Sequence, residues 1–422
     1  MERLISLLGL LTMLVLAWLA SENRWKMNRR LILSGVGLQL ALAALLLKTP
    51  LKDFIFHFVT AMMLKFIACS DKGAEFVFDK GFQEHYFAFS VMPTVIVFSS
   101  LTAVLFYLGI LQWVIKAMAR VMVWVMDVSG AESLCTAANV FVGMTTAPLF
   151  IRPYLKSLTR SELMAMMTGG MATVAGGTMV AYVGMARKAG CPVENLAGHL
   201  MIASLISAPA SLVIAKIMVP ETEHSPTKGK VELDVPRTDS NILDAACRGA
   251  GEGLKLVLNI VAMLIAFIAM VYLMNWVLEG FSIMADWVFS WFGSLTVEQL
   301  LGGELTLQRI LGWVCAPLAW IMGVEWKDAQ AVGLLIGEKT IFNEFIAYRS
   351  LVECQGLSER SFTIATYALC GFANFGSIAV MIGGIGGLEP SRRKDFAKYG
   401  FRSLVGGSLA AFMTAAIAGM LI

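Results

Sequence analysis

Long apolar runs, separated by short clusters of charged residues, dominate the pattern of hydrophobic and polar positions along the chain. Eight runs come close to the roughly 17–25 residues with which a helix crosses a bilayer. They cover residues 4–21, 31–47, 86–115, 163–186, 195–215, 256–278, 361–388 and 403–422. The first run ends in a poor signal-peptide cleavage site, with Trp18 and Ala20 before Ser21, so we interpret it as a retained helix. The pattern predicts an all-α membrane protein with eight transmembrane helices.

The composition supports this prediction and excludes a soluble enzyme. Of the 422 residues, 58% are hydrophobic and 15% are charged, whereas an ordinary soluble domain has roughly 25% charged residues. The mean hydropathy is +0.73. A net charge of +3 gives no reason to expect a nucleic-acid partner or a polybasic membrane tether, whereas the apolar composition indicates that the chain lies in a lipid bilayer. The seven cysteines are scattered, without a CxxC pair, and indicate neither a disulfide framework nor a zinc site.

Basic residues predict the orientation, because loops rich in Lys and Arg stay in the cytoplasm. The loops 24–30 and 392–402 carry the clearest basic clusters, and further basic residues lie at 116–120 and 152–160. We therefore expect a multi-pass protein of the inner membrane with these loops inside and both termini outside. The polar stretch 221–244 also falls inside, and its prolines and charges predict a flexible linker between two halves of the chain.

One apolar run does not suit a simple crossing. Residues 133–151 carry no charge but are interrupted by Gly143, Met144, Thr145, Thr146 and Pro148. A glycine, two hydroxyls and a proline favour a turn. Because the flanking basic residues fall on the same predicted side, the segment is expected to enter the membrane, turn and return. Irregular backbone at that depth requires protein or a water-filled cavity around it.

A second unusual run, residues 329–348, contains Glu338, Lys339, Asn343 and Glu344. An amphipathic surface helix is one interpretation. The other is a second re-entrant hairpin, because ionisable residues within a membrane usually mark a substrate or ion pathway. We interpret Glu338 and Lys339 as side chains that pair or snorkel to the membrane surface. Glu344 is the better functional candidate, since a turn beside Asn343 would present it to a cavity.

The spans that follow the two hairpins are interrupted by glycine. The run 163–186 contains GGMATVAGGT, and the run 361–388 contains CGFANFGS. Such glycines also occur where membrane helices pack closely. Here, however, a hairpin followed by a broken span occurs twice, and the two units run in opposite directions through the membrane. This pattern is typical of the inverted repeats of secondary transporters, in which the substrate site lies near the midplane.

Five segments carry a resemblance to the concentrative nucleoside transporter family. They are AANVFVG and APLFIRPYL around the first hairpin, APLAWIMGV at 316–324, NEFIAY at 343–348 and CGFANFGSIA at 370–379. The resemblance covers essentially the whole chain. It implies eight spans, two re-entrant hairpins and interfacial helices, a homotrimer, and uptake of nucleosides coupled to sodium or, in some members, to protons.

The resemblance also implies a division of the chain. Residues 1–130 would hold the N-terminal scaffold spans and an interfacial helix, and 131–219 the first transport repeat. Residues 220–300 would hold the cytoplasmic linker and a scaffold span. The second transport repeat, with its own interfacial helix, would occupy 301–422.

By the same resemblance, individual residues receive roles. Glu344 would accept hydrogen bonds from the ribose hydroxyls, Asn374 and Ser377 would also bind the sugar, and Phe372 would line the pocket. Four residues correspond to the family's sodium ligands: Asn139 and Thr173 through side-chain oxygens, and Val142 and Val174 through backbone carbonyls. No other cofactor is implied.

The first hairpin tip departs from the family pattern. Family members carry Gly-Gln-(Thr/Ser)-Glu there, with the glutamine and glutamate on the nucleobase, whereas this chain has Gly143, Met144, Thr145 and Thr146. Loss of a charged hydrogen-bond partner is worth roughly 1.5–3 kcal/mol, enough to change base preference. Either the substrate differs in its base, or recognition rests mainly on the sugar. In the second case Thr145, Thr146 and Thr178 would make weaker or water-mediated contacts.

Two other classes of function are alternatives to a transporter. A membrane protein that keeps the fold for sensing, with little transport, is favoured by the loss of the base-reading pair. An intramembrane enzyme has little support, because the sequence contains no HExxH motif and no serine–histidine arrangement. His199 lies within a span and could relay protons, although a packed, hydrogen-bonded histidine is the simpler interpretation.

Overall fold

The computed structural model describes residues 2–79, 89, 91–191, 193–229, 239–289, 296, 299, 304–354 and 356–422. Over these ranges the chain is helical. The first half contains α1 (Glu2–Leu19), α2 (Arg29–Lys48), α3 (Leu51–Phe78), α4 (Met92–Tyr107), α5 (Ile110–Met126), α6 (Gly130–Val142), α7 (Arg160–Ala172), α8 (Gly176–Lys188) and α9 (Val193–Met218). The second half contains α10 (Ile242–Phe289), α11 (Leu307–Ile321), α12 (Trp326–Ile341), α13 (Glu344–Glu353), α14 (Glu359–Leu369), α15 (Phe375–Leu388) and α16 (Arg393–Leu421).

The all-α membrane fold predicted from the apolar runs is confirmed. Within the described ranges, seven helical segments are long and apolar enough to cross a membrane, and one of them consists of α7 and α8 together (Arg160–Lys188). Two further pairs meet the same criteria but are bent, α4 with α5 by 77° and α11 with α12 by 119°. The predicted run 86–115 therefore divides at Gly109, whose φ is +80°. Its first residues, 86–88 and 90, lie outside the described ranges.

Helix α3 is absent from the predicted spans. Charged residues such as Lys52, Asp53 and Lys65 break its hydrophobic run in the sequence. Its buried residues nevertheless recur at helical spacing, on one stripe: Phe56, Val59, Thr60, Met63, Ile67, Ser70 and Ala74. An amphipathic helix with a charged outer face explains why a search for uninterrupted apolar runs missed it.

The first arm of the first hairpin begins with a capping box and ends at a glycine with positive φ. The Ser129 hydroxyl accepts from the Glu132 N–H, and Glu132 in turn accepts from the Ser129 N–H at 2.8 Å. Helix α6 then runs to Gly143, whose φ of +81° lies in the left-handed region that favours glycine. The return arm is a 3₁₀ helix, Ala147–Tyr154, that packs against α6. Prolines 148 and 153 remove backbone donors, which explains why this arm is not α-helical.

The second hairpin is formed by α12 and α13, which are separated at Phe342 and Asn343. The Asn343 side chain accepts from the Ile346 N–H at 3.0 Å and so starts α13. The interpretation of Glu338 and Lys339 as side chains that pair with each other or snorkel to the membrane surface is wrong, because both are buried and the Lys339 ammonium binds elsewhere. Lys339 is fully buried, and its ammonium donates to the Ala368 carbonyl at 2.9 Å. A freed carbonyl near the end of α14 thus takes the place of a carboxylate partner.

Both predicted broken spans are present, and their breaks touch. The first separates α7 from α8 at 173–175, and the second separates α14 from α15 at 370–374. Gly371 has a φ of +125°, and a methyl group there would lie only 2.6 Å from the carbonyl oxygen of Met171. Only glycine permits this approach. The interrupted backbones of the two repeats therefore meet in the interior of the protein.

Loops predicted to be cytoplasmic lie together at one end of the molecule. Arg402 pairs with Glu22 at 3.2 Å, and Arg392 donates to the Leu158 carbonyl at 2.8 Å. Helix α16, 29 residues long, starts at this end. At its other end Arg360 contacts both the Ile422 carbonyl and the Glu2 carboxylate. The two termini thus share one face, while the side of the membrane that this face occupies stays a prediction.

The linker prediction is wrong for residues 221–229, because this segment is docked. Ser225 and Thr227 are buried and donate to the carboxylate of Glu162 at 2.5 and 3.3 Å. Nearby, the buried Lys216 pairs with Glu132 at 2.8 Å and with Glu221 at 3.1 Å. This cluster fixes the starts of α6 and α7 against the end of α9. Residues 230–238 of the predicted linker lie outside the described residues, and its last three residues, 242–244, form the start of α10.

Candidate substrate and ion sites

Glu344 is the first residue of α13 and is almost completely buried, with 7% of its surface exposed. The preceding residue, Asn343, has extended backbone and caps the helix. The carboxylate therefore sits at a helix N-terminus, where the helix dipole stabilises negative charge. The break in the hairpin, which the sequence indicated, is what places this acidic side chain inside the protein.

Two side chains donate hydrogen bonds to the Glu344 carboxylate. Oε2 accepts from the Asn374 side-chain amide at 2.9 Å, and Oε1 accepts from the Tyr182 hydroxyl at 3.3 Å. All three side chains are buried. A carboxylate has about four lone-pair positions, so these two bonds leave acceptor capacity for further hydroxyl donors.

Asn374 also caps the N-terminus of α15. Its Oδ1 accepts from the Ser377 N–H at 2.8 Å, which caps the helix and turns the amide N–H group toward Glu344. Ser377 is buried, and Phe372, two residues before Asn374, is half-buried in the same break. The structure thus places Glu344, Asn374 and Ser377 in one cluster, with Phe372 beside it along the chain.

Tyr182 was not among the residues predicted for the site. It lies on α8, is fully buried, stacks on Tyr348 with ring centroids 4.3 Å apart and meets Phe345 edge-on at 5.4 Å. In the sequence it is one aromatic residue in a span, a position that packing alone explains. The only available signal was its spacing of four residues after Thr178, which puts both on one face of α8.

The first hairpin tip lies against both broken spans. A methyl group at Gly143 would be 3.0 Å from Cβ of Ala175, in the first break. Met144 packs on Gly170 of α7, and Thr145 approaches Gly384 of α15. Thr145 is exposed and Thr146 is half-buried. The Thr178 hydroxyl donates to the Ala175 carbonyl at 2.8 Å, so its suggested contact with a base stays a prediction.

The four candidate ion ligands lie where α6 runs alongside the first break. Thr136 packs on Gly169, and Gly143 packs on Ala175, so the part of α6 between them faces residues 169–175. The Oδ1 atom of Asn139 is buried and has no hydrogen-bond partner among the described residues. Val142 is the last residue of α6, a position where helix carbonyls lack intrahelical partners.

On the opposing side, the Thr173 hydroxyl donates to the Gly169 carbonyl at 2.9 Å and keeps its oxygen lone pairs. The Val174 carbonyl accepts from Ser204 at 3.2 Å and retains a second lone pair. Neutral oxygen donors of this kind suit a hard monovalent cation. A buried amide oxygen without a partner is what a cation would satisfy, so the residues fit sodium.

His199 has neighbours typical of a structural histidine. Its Nδ1 lies 3.1 Å from the Tyr367 hydroxyl, and its ring meets Phe56 edge-on at 4.9 Å. These contacts favour the packed, hydrogen-bonded interpretation over a proton relay.

Three family models together match most of the chain. The model for the C-terminus of Na⁺ dependent nucleoside transporters matches residues 199–419, and the model for their N-terminus matches residues 8–81. A model described as nucleoside recognition matches residues 88–189, the part that includes the first hairpin.

Similar proteins include both animal and bacterial relatives. Solute carrier family 28 member 3 of Rattus norvegicus is 40% identical over the whole chain, which spans 59% of that protein. The uncharacterized transporter YutK of Bacillus subtilis is 39% identical, with both chains covered completely. The structure of CNTnw in an inward-facing substrate-bound state has a TM-score of 0.86 at 38% identity, with 100% and 98% of the chains covered. This chain therefore belongs to the concentrative, sodium-dependent nucleoside transporter family, as its motifs predicted.

Proposed function

We propose that this protein imports nucleosides, or solutes built like them, by symport with a cation. The observation that carries the proposal is the buried Glu344 carboxylate, held by Asn374 at the point where the two repeats come together. A carboxylate within the membrane is costly, and those that occur usually have buried partners and mark a substrate or ion pathway. The family to which the chain belongs supplies the class of solute.

Ribose fits the chemistry of the cluster. Its adjacent hydroxyls are neutral donors, and a buried carboxylate is the strongest acceptor that a protein offers them. The amide of Asn374 and the hydroxyl of Ser377 complete a polar set beside the half-buried Phe372, which would contribute apolar area for the base. A neutral solute can thus be bound without bringing another charge into the membrane.

Base recognition should be weaker than in relatives with a glutamine and a glutamate at the tip. Met144 packs on Gly170 and presents no hydrogen-bonding group of comparable strength. Thr145 and Thr146 offer only short hydroxyl arms. We therefore expect sugar contacts to dominate the affinity and several bases to be accepted.

Sodium is the proposed coupling ion. The unpartnered Asn139 amide oxygen, the Thr173 hydroxyl and the carbonyls of Val142 and Val174 are the proposed ligands. When bound, sodium would supply positive charge that draws α6 onto the first break. The chain's own residues align these elements even without it, through the contacts of Gly169 and Gly143.

We further propose that the protein works as a homotrimer in the inner membrane, with its two hairpin repeats moving past a scaffold. Large apolar and aromatic side chains are exposed along α10, including Ile265, Tyr272 and Trp276. We infer that lipid or a neighbouring subunit covers them. Helices α4 and α10 pack tightly, with Gly249 against Ala103. This pair would form part of the scaffold.

Uptake by proteoliposomes containing the purified protein tests the proposal. Labelled purine and pyrimidine nucleosides are supplied under an inward sodium gradient, an inward proton gradient or no gradient. Accumulation above equilibrium under the sodium gradient alone is the expected result. Accumulation driven only by protons would reject the ion assignment. Saturable nucleoside binding without accumulation under any gradient would favour a sensing role, and neither binding nor accumulation would reject nucleosides as the solute.

A further inference from the structure

One donor to the proposed sugar-binding carboxylate comes from the opposite repeat. Tyr182 belongs to α8, the second half of the first broken span, whereas Glu344 and Asn374 belong to the second hairpin and the second broken span. The Tyr182 hydroxyl reaches Glu344 Oε1 at 3.3 Å. The first repeat thus contributes a side chain, Tyr182, to the cluster formed by Glu344 and Asn374 of the second repeat.

Two donors on different oxygens restrict the carboxylate. The Asn374 amide engages Oε2 at 2.9 Å while Tyr182 engages Oε1, so rotation about the terminal bond of Glu344 breaks one or both bonds. Rotation of this bond is otherwise soft. A fixed plane matters for a substrate with two adjacent hydroxyls, because both must meet acceptor lone pairs at once.

Tyr182 is itself rigid. Its ring stacks on Tyr348 at 4.3 Å with an interplanar angle of 24° and is closed on another side by Phe345. The Tyr348 hydroxyl does not take part in holding Glu344, since it donates to the Thr366 carbonyl at 2.7 Å. The two stacked tyrosines are therefore alike in burial and differ in what their hydroxyl groups bind.

We propose that Tyr182 is a positioning residue for sugar recognition. Its hydroxyl holds the Glu344 carboxylate in the orientation that accepts the two ribose hydroxyls, so that the first repeat takes part in reading a sugar bound by the second. The proposal rests on the nucleoside function proposed above and adds a determinant of selectivity for ribose. Because the contact joins the repeats, it is also broken by any movement that separates α8 from the second hairpin.

The test compares Tyr182→Phe with Tyr348→Phe as a matched control. Inhibition constants are measured for a ribonucleoside and its 2′,3′-dideoxy analogue, both competing with a labelled nucleoside that wild type accumulates. Tyr182→Phe should weaken ribonucleoside binding about tenfold, the size expected for one hydrogen bond to a charged group. The inhibition constant of the dideoxy analogue should change less than about twofold, because this compound lacks the hydroxyls that Glu344 binds. Tyr348→Phe should leave the ratio between the two compounds as in wild type.

If Tyr182→Phe weakens the binding of both compounds equally, the role of Tyr182 is merely structural and the proposal is overturned. An unchanged inhibition constant for the ribonucleoside would overturn it as well. If Tyr182→Phe does not yield monodisperse protein, O-methyltyrosine at the same position removes the donor and keeps the ring. p-Aminophenylalanine restores a donor and should restore the ratio. Failure of wild type to accumulate any nucleoside would instead reject the proposed function, so the two failures are distinguishable.

Discussion

At the scale of single residues, the polar side chains of the proposed sugar site also build the helices that carry them. Asn374 caps α15 with its oxygen and binds Glu344 with its nitrogen, and Asn343 caps α13 directly before Glu344. Each helix break therefore creates a capping position and a substrate contact together. This explains why NEF and ANFGS motifs could be interpreted from the sequence, whereas Tyr182, which caps nothing, could not.

The hairpin tip gives a prediction about base selectivity. Replacing Met144 by Gln and Thr146 by Glu restores two long polar arms beside the first break. Discrimination between pyrimidine and purine nucleosides should increase by about one order of magnitude, because a charged hydrogen-bond partner contributes roughly 1.5–3 kcal/mol. Competition assays on the double variant and on wild type measure this ratio of affinities for pyrimidine and purine nucleosides. Unchanged selectivity would mean that the tip does not read the base.

At the scale of secondary-structure elements, the contact between the two breaks is the most constrained feature. Gly371→Ala would place a methyl group 2.6 Å from the Met171 carbonyl oxygen at a φ of +125°. We expect a loss of about 2–4 kcal/mol in stability from strain and overpacking together. Gly383→Ala is the matched control, since Gly383 lies within α15 with open space around its Cα. Thermal unfolding in detergent measures the stability of both variants. Equal melting temperatures would contradict the close contact between the two breaks.

The ionic cluster beneath the first hairpin gives a second prediction at this scale. Lys216→Met leaves the buried Glu132 without its cation, a change that costs about 3–5 kcal/mol in comparable buried pairs. Lys228→Met removes an exposed partner of Asp127, with side chains 58% and 54% exposed, and should change stability by less than about 1 kcal/mol. Both variants are compared by thermal unfolding. Similar melting temperatures for the two would mean that Lys216 does not hold the base of the hairpin.

The sequence allowed the hairpins and broken spans to be predicted because glycine, proline and polar residues interrupt apolar runs there. Helix α3 was missed because its charges divide its run, although they lie outside a buried stripe. The docking of 221–229 was also missed, since the partner of Ser225 and Thr227 is the distant Glu162. Lys339 was misinterpreted for a related reason: its acceptor is a backbone carbonyl freed by a helix end. Such partners depend on tertiary contacts that no local pattern encodes.

At the scale of the whole molecule, two inverted repeats bring their interrupted helices together, and each repeat contributes a different proposed binding site. The first break lies beside the proposed cation ligands, the second beside the proposed sugar ligands, and Gly371 against Met171 joins the two. A cation that orders the first break would thereby favour one arrangement of the second. Coupling of this kind needs differential binding of each ligand to the same conformational states.

The most direct test of the central claim, that Glu344 binds the sugar during coupled uptake, is nucleoside accumulation by Glu344→Gln. Glu338→Gln is the matched control, because Glu338 is a buried carboxyl on the same hairpin that makes no contact with Asn374 or Tyr182 among the described residues. Under an inward sodium gradient, Glu344→Gln proteoliposomes should fall to the level of empty vesicles, while Glu338→Gln should accumulate nucleoside. Accumulation by Glu344→Gln equal to that of wild type would contradict the account.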